Sequence, residues 1–125
     1  RVLVERVEGY TSAANWQRAY TEINDFERAQ TDHGTIVLKF WLAITPEEQL
    51  QRFHERERSP FKNFKITPDD WRNREKWNQY AGAVNDMLMR TDTEHAPWHL
   101  IATNDKHYAR VHVLKSIVAA LEKNL

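Results

Sequence analysis

The 125-residue chain predicts an α/β layer fold built on a parallel sheet, and three observations carry that prediction. Helical and strand periodicities alternate along the chain. Residues 35–44 are apolar on both faces, the pattern of a strand covered on either side. Threonine-proline-acid runs beginning at Thr45 and Thr67 open helices that carry the chain from that strand towards the next.

Taken in order, Val2, Leu3, Val4 and Val7 form a short helical opening that ends near Gly9. Trp16, Ala19, Tyr20, Ile23 and Phe26 then recur at helical spacing, and Asp32-His33-Gly34 supplies the stop. In the strand that follows, Ile36, Leu38, Phe40 and Leu42 point to one face and Val37, Trp41 and Ala43 to the other; only Lys39 interrupts it. Thr45 is a cap, Pro46 the first helical residue, and Glu48 lies where its carboxylate would answer the cap's free amide. That helix should run to about Arg58 and stop before Pro60. Residues 59–65 hold too few aliphatic side chains for a core element. Thr67-Pro68-Asp69-Asp70 repeats the cap logic and predicts one long helix through Trp77, Tyr80, Ala81, Val84 and Leu88 to about Arg90. A second short strand, 98–103, follows Pro97, and a last helix carries Val111, Leu114, Val118 and Leu121 as a stripe expected to face a core. Two strands joined through helices imply parallel pairing.

With 41% hydrophobic and 29% charged residues and no cysteine, the composition is that of one small domain without a disulfide framework. Eighteen basic side chains balance eighteen acidic ones, so any attraction for anions must be local. No apolar run approaches the roughly 20 residues that span a bilayer and no signal pattern opens the chain, so no membrane partner is expected and the cytoplasm is the expected compartment. No repeat or linker divides residues 1–125. The chain opens at Arg1 without methionine or cap residue, which predicts a piece of a longer protein. A strand apolar on both faces needs neighbours, so at least one further strand is expected upstream of Arg1.

The sharpest chemical feature is a basic, aromatic-laced segment, 52–77. It holds Arg52, Arg56, Arg58, Lys62, Lys65, Arg72, Arg74 and Lys76 among Phe53, Phe61, Phe64, Trp71 and Trp77. Residues 52–65 carry five basic and two acidic side chains, so a chain of zero net charge still holds a cationic patch. Guanidinium forks bind phosphate oxygens bidentately and lysines add movable charge, so the patch suits phosphate. Glu55, Glu57, Asp69, Asp70 and Glu75 could instead neutralise it as a solvated face, and its aromatic residues would equally suit single-stranded nucleic acid. The six histidines lack metal-ligand spacing, no serine lies in a nucleophile elbow, and three glycines make no phosphate-cradling loop. Asn104-Asp105-Lys106 follows the second strand, where open parallel sheets bind ligands; helix capping by Asn104 or Asp105 accounts for the same residues.

Several phrases together resemble one family: VLVERVEG from Val2, EIN-FE from Glu22, VLKFWL from Val37, EQLQRF from Glu48, KITPDDWRNREKW from Lys65, MLMRT from Met87, APWHL from Ala96 and NDKHYAR from Asn104. In collinear order over the whole chain, they resemble the C-terminal part of the polyphosphate kinase 2 family, and the ERVEG opening is most similar to its polyphosphate:AMP phosphotransferase branch. The resemblance implies the C-terminal half of a P-loop kinase-like domain related to thymidylate and adenylate kinases, with a helical lid at about 52–77. It implies phosphoryl transfer between inorganic polyphosphate and AMP, or ADP or GDP, with Mg²⁺. It further implies a homo-oligomer with no nucleic-acid partner. The family's Walker A and Walker B residues precede those matching Arg1, so no metal ligand is expected within this chain and the fragment alone should be inactive.

By the same resemblance Arg72 and Arg74 are the charge-stabilising catalytic residues, and Glu5 orients metal or acceptor nucleotide. Arg6, Arg52, Arg56, Lys62, Lys65, Lys76, Arg90, Asn104, Asp105 and Lys106 would bind polyphosphate or nucleotide. Phe64 stands where the family commonly has tryptophan, and His107 where it has arginine, which removes a cation there. The alternative reading is a non-catalytic module that binds polyphosphate or single-stranded nucleic acid through the same patch.

Overall fold

Ser12 starts the first long element: its hydroxyl accepts the Asn15 amide, and helix α2 then runs over Ala13–Asp32. The computed structural model describes all residues, Arg1–Leu125. Ahead of α2 lies the one-turn helix α1, Val4–Val7. Gly34 ends the α2 segment at φ 86°, a left-handed turn that a side chain would disfavour. Strand β1 is Lys39–Ala43, and helix α3, Pro46–Arg58, follows within two residues. After a 3₁₀ turn at Asn63–Lys65 come α4, Pro68–Glu75, and α5, Trp77–Thr91. Strand β2, Trp98–Ala102, and helix α6, Lys106–Asn124, complete the chain.

The two strands pair in parallel, Lys39 opposite Trp98 through Ala43 opposite Ala102, as the alternation of elements predicts. Thr103 extends the ladder by one step, its amide and hydroxyl both donating to the Ala43 carbonyl at 2.8 and 2.9 Å. The core lies where α1, α2 and α5 meet the sheet: Val2, Ala19, Tyr20 and Met87 are buried, and Leu3, Trp16, Ile23, Trp41, Leu88 and Trp98 pack around them.

Several details depart from the sequence reading. The first strand is five residues long, and within this chain Leu42 and Ala43 are exposed. Lys39, the one interruption in an apolar run, is its best-buried residue. Its ammonium donates to Glu27 at 2.9 Å and to the Thr91 carbonyl, and lies 4.9 Å from the centre of the Trp98 ring. The long helix expected after Thr67 breaks at Lys76 (φ −96°, ψ 23°), giving α4 and α5. Within these 125 residues the α6 stripe is left open, Leu114, Val118 and Leu121 being 62, 52 and 47% exposed.

The cap at Thr45 is half as expected. Its hydroxyl accepts the Glu48 amide, but its own amide donates to Asn104 Oδ1 at 3.2 Å, while the Glu48 carboxylate turns to Arg52 at 3.0 Å. At Thr67 the amide does donate to Asp70, at 2.8 Å.

Candidate functional site: a helical arm

Helices α3 and α4, with the 3₁₀ turn between them, form an arm that leaves the sheet after β1 and returns at Lys76. Phe53 and Trp71 meet edge to face with ring centres 5.0 Å apart, which fastens α3 to α4. Arg74 adds a polar fastening: one guanidinium nitrogen donates to the Pro46 carbonyl at 2.7 Å and to Gln49 at 3.2 Å. The short spacing from Ala43 to Pro46 roots the arm at the C-terminal end of the parallel strands, the end at which such sheets bind ligands.

The structure brings Arg52 to Asn104 and the residues beside it. Arg52 donates to the Thr103 carbonyl and, at 3.4 Å, to that of Asn104, while the Asn104 amide group reaches back to Thr45. Asp105 caps α6 by accepting the Tyr108 amide at 3.0 Å, and Lys106 opens that helix at an exposed position. The two strand ends are thereby latched together. Of the two readings of 104–106, capping is what Asp105 does, and Asn104 ties the loop to the arm's root.

The remaining cations divide into free and committed groups. Lys62 and Lys65 stand exposed and Arg56 half-buried, none of them engaged by a side-chain hydrogen bond or ion pair. Arg72 is half-exposed and held by Asp69 at 2.6 Å. By contrast Arg6 is structural: it donates to Asp86 at 2.8 Å and to the Tyr20 hydroxyl at 3.0 Å, and lies 4.2 Å from the centre of the Trp16 ring. Burial alone would lower its pKa, but the bonds to Asp86 and Tyr20 outweigh that and leave it raised. Arg90 lies over the Tyr20 ring at 4.2 Å. Glu5 lies on α1, where its own backbone amide holds its carboxyl below the usual carboxylate range. Arg6 and Arg90 therefore stack against α2 and lie outside the arm, as does Glu5.

Lys76 is also committed, to a residue that the sequence reading left out of the site. Glu8, only 7% exposed, accepts the Lys76 ammonium at 2.7 Å and the Tyr80 hydroxyl at 3.1 Å. The bond from Lys76 holds the Glu8 carboxyl below the ordinary range, with Tyr80 adding to the effect, while burial and the nearby Glu8 charge push the Tyr80 phenol up. Because the folded value is depressed, this contribution to stability is full above about 4.5, the ordinary carboxylate value, and is lost as pH falls through the lower folded value. We therefore expect the stability gap between wild type and Glu8→Gln, measured by urea unfolding, to narrow as pH drops below about 4.5.

No three acidic, histidine or cysteine side chains gather to hold a metal. Glu8, Asp69, Asp86 and Asp105 are each occupied by a cation or a cap, so this donor set does not fit Mg²⁺.

Paired parallel strands whose C-terminal ends carry a fastened helical arm define an α/β module. The chain belongs to the polyphosphate kinase 2 family: the family model described as Polyphosphate kinase 2 (PPK2) matches residues 1–125. It is 63% identical over 123 residues to a polyphosphate:AMP phosphotransferase of Pseudomonas syringae pv. tomato, a match covering 98% of this chain and 25% of that protein. A polyphosphate:AMP phosphotransferase of Pseudomonas aeruginosa is 58% identical over 122 residues, with the same coverage, and a GDP-polyphosphate phosphotransferase of the same strain is 34% identical, covering 98% and 34%. The crystal structure of polyphosphate kinase 2 from Arthrobacter aurescens TC1 superposes with a TM-score of 0.94 at 38% identity, covering 98% of this chain and 43% of that one. The chain thus spans about a quarter of the length of the two AMP phosphotransferases. No helix is long and apolar enough to cross a membrane.

Proposed function

We propose that these residues form the lid-bearing part of a phosphotransferase that moves a phosphoryl group between inorganic polyphosphate and a nucleotide. AMP is the preferred acceptor in this reading, with ADP or GDP as the alternatives. The observation that carries it is the arm itself: Arg56, Lys62, Lys65 and Arg72 are not locked into the fold's interior and lie on one two-helix unit rooted at the strand ends. The higher identity to AMP phosphotransferases than to the GDP enzyme supports the acceptor.

Phosphoryl transfer through a loose transition state asks a protein mainly for alignment and charge compensation. In this reading the arm closes over the phosphate chain, its guanidinium and ammonium groups replace water around the phosphate oxygens, and closure dries the reacting centre. Arg72 faces phosphate directly, whereas Arg74 shapes the arm by holding α4 to the start of α3. Arg52, Asn104 and Asp105 keep the root of the arm in place, and Lys106 adds a cation there. Mg²⁺, implied by the family resemblance, would be held by residues outside this chain. The proposal also includes completion of a P-loop kinase fold by Walker A and Walker B residues elsewhere in the protein, a homo-oligomeric assembly and a cytoplasmic location.

The 125-residue chain by itself is therefore expected to form no ATP from polyphosphate and ADP; ATP formation by the isolated chain would contradict the assignment of the Walker residues elsewhere. A second reading, a non-catalytic module for single-stranded nucleic acid, is favoured by Phe61 and Phe64, which stand 83 and 74% exposed beside Lys62 and Lys65 and could stack on bases. Salt-dependent binding of the full-length protein to polyphosphate and to a single-stranded oligonucleotide separates the two. Preference for polyphosphate supports the phosphotransferase, and preference for the oligonucleotide supports the module.

A further inference from the structure

The arm joins the rest of the molecule at two places, and each has its own lock. At the root, Asn104 holds the Thr45 amide and Arg52 holds the carbonyls of residues 103 and 104. At the far end the connection narrows to Lys76, the single residue between α4 and α5.

There a buried carboxylate meets both sides of the break. Glu8 follows α1, and Gly9 at φ 73° turns the chain away immediately after it. The two oxygens of Glu8 are used separately: Oε2 accepts from Lys76 at 2.7 Å, and Oε1 from the Tyr80 hydroxyl at 3.1 Å. The same hydroxyl lies 3.4 Å from Asn73 Oδ1. Asn73 belongs to α4 and Tyr80 to α5, so the one carboxylate that follows α1 reaches the junction residue and a neighbour in contact with both helices. Since α4 is fastened to α3 by Arg74 and Trp71, the angle at Lys76 is carried through the whole arm.

We infer that Glu8 is a positioning residue of the lid: by clasping Lys76 and Tyr80 it sets the angle at which α4 carries Arg72. This rests on the reading of the arm as a polyphosphate lid. It gives Lys76 a different task from the direct phosphate contact that the sequence suggests, because its ammonium is spent on Glu8 beneath the arm. In this inference Glu8 acts through the helices it joins.

The test uses Glu8→Gln, Lys76→Met and the double variant in the full-length protein, with two readouts. Amide exchange over residues 73–80 reports the junction directly and needs no substrate. Steady-state kinetics report KM for polyphosphate and for nucleotide separately. Each single variant is expected to speed exchange at the junction and to raise KM for polyphosphate about tenfold, as misplacement of a binding group does, with KM for nucleotide unchanged. The double variant should be no worse than the poorer single one, because both remove the same bond.

Additive effects would overturn the inference, since Lys76 would then act on phosphate independently of Glu8. So would unchanged exchange in Glu8→Gln, or faster exchange with KM for polyphosphate unaltered. Absence of any polyphosphate-dependent transfer in the wild type would instead overturn the lid reading, while exchange would still judge the clasp. Should Glu8→Gln fail to fold, Tyr80→Phe removes one of the two bonds to Glu8 and is expected to give the same pattern in weaker form; no change in either readout would count against the inference.

Discussion

Reversing Arg72 to glutamate in the full-length protein is expected to lower kcat/KM for polyphosphate about 100-fold, or roughly 2.7 kcal/mol, the scale of losing one well-placed charge from a phosphoryl-transfer site. Arg72 projects from the arm with Asp69 as its ion-pair partner, at 2.6 Å. Both side chains are at least half-exposed, and exposed pairs of this kind contribute little. Exchanging Asp69 for a phosphate oxygen therefore costs little, and Arg72 is available to an incoming anion in a way that Arg74 is not. The same reversal at Arg28, exposed on α2 next to the Glu27 that pairs with Lys39 at the opposite end of β1 from the arm's root, should leave kcat/KM within about twofold, since salt screens separated surface charges. Equal effects at both positions would mean that net charge, and not the arm, draws polyphosphate in. Arg74→Ala should differ in kind: it breaks the bond to the Pro46 carbonyl and loosens α3 from α4, so its effect should be accompanied by faster amide exchange in the arm.

The largest expected effect on stability lies far from the arm. Lys39→Met leaves the Glu27 carboxylate, 12% exposed, without its cation, and the expected cost is about 3–5 kcal/mol. The Thr91 carbonyl loses a donor in the same step. Replacing both partners, Lys39→Met with Glu27→Leu, should recover most of that loss, because the desolvation penalty of the pair disappears together with its attraction. Urea unfolding of the single and double variants measures this. Equal destabilisation by both would show that packing around Trp98, and not charge pairing, makes the site sensitive.

Local chemistry was the most legible part of the sequence. Thr45 and Pro46, Thr67 with Asp70, and Gly34 each specify a terminus through interactions within about four residues, and each lies where its pattern places it. Parallel pairing followed from the alternation of elements. What the pattern missed depends on partners distant in sequence. The α4–α5 break at Lys76 sits over Glu8, which is 68 residues away, so helical periodicity runs straight through it. Lys39 looked like a flaw in a strand until Glu27 and Thr91 were brought beside it. Glu48 fitted a capping box, but Asn104 reaches the Thr45 amide from 59 positions away and leaves Glu48 to Arg52.

The candidate site was legible as a segment and much less so as individual roles. Counting cations in 52–77 located the arm, yet a side chain bonded inside the fold and one facing solvent look alike in sequence. Arg52, Arg74 and Lys76 belong to the first kind, and Lys62 and Lys65 to the second. Glu8 was visible only as a letter of the ERVEG phrase. Its task became clear when Tyr80 and the break at Lys76 fell against it.

The central claim is that the arm serves phosphoryl transfer from polyphosphate, and the most direct measurement is nucleotide formation by the full-length protein given polyphosphate and AMP. The account predicts ADP that appears only when polyphosphate is present, and a rate that collapses in Arg72→Glu. Polyphosphate that binds without any ADP being formed, or ADP formation indifferent to Arg72→Glu, would contradict it.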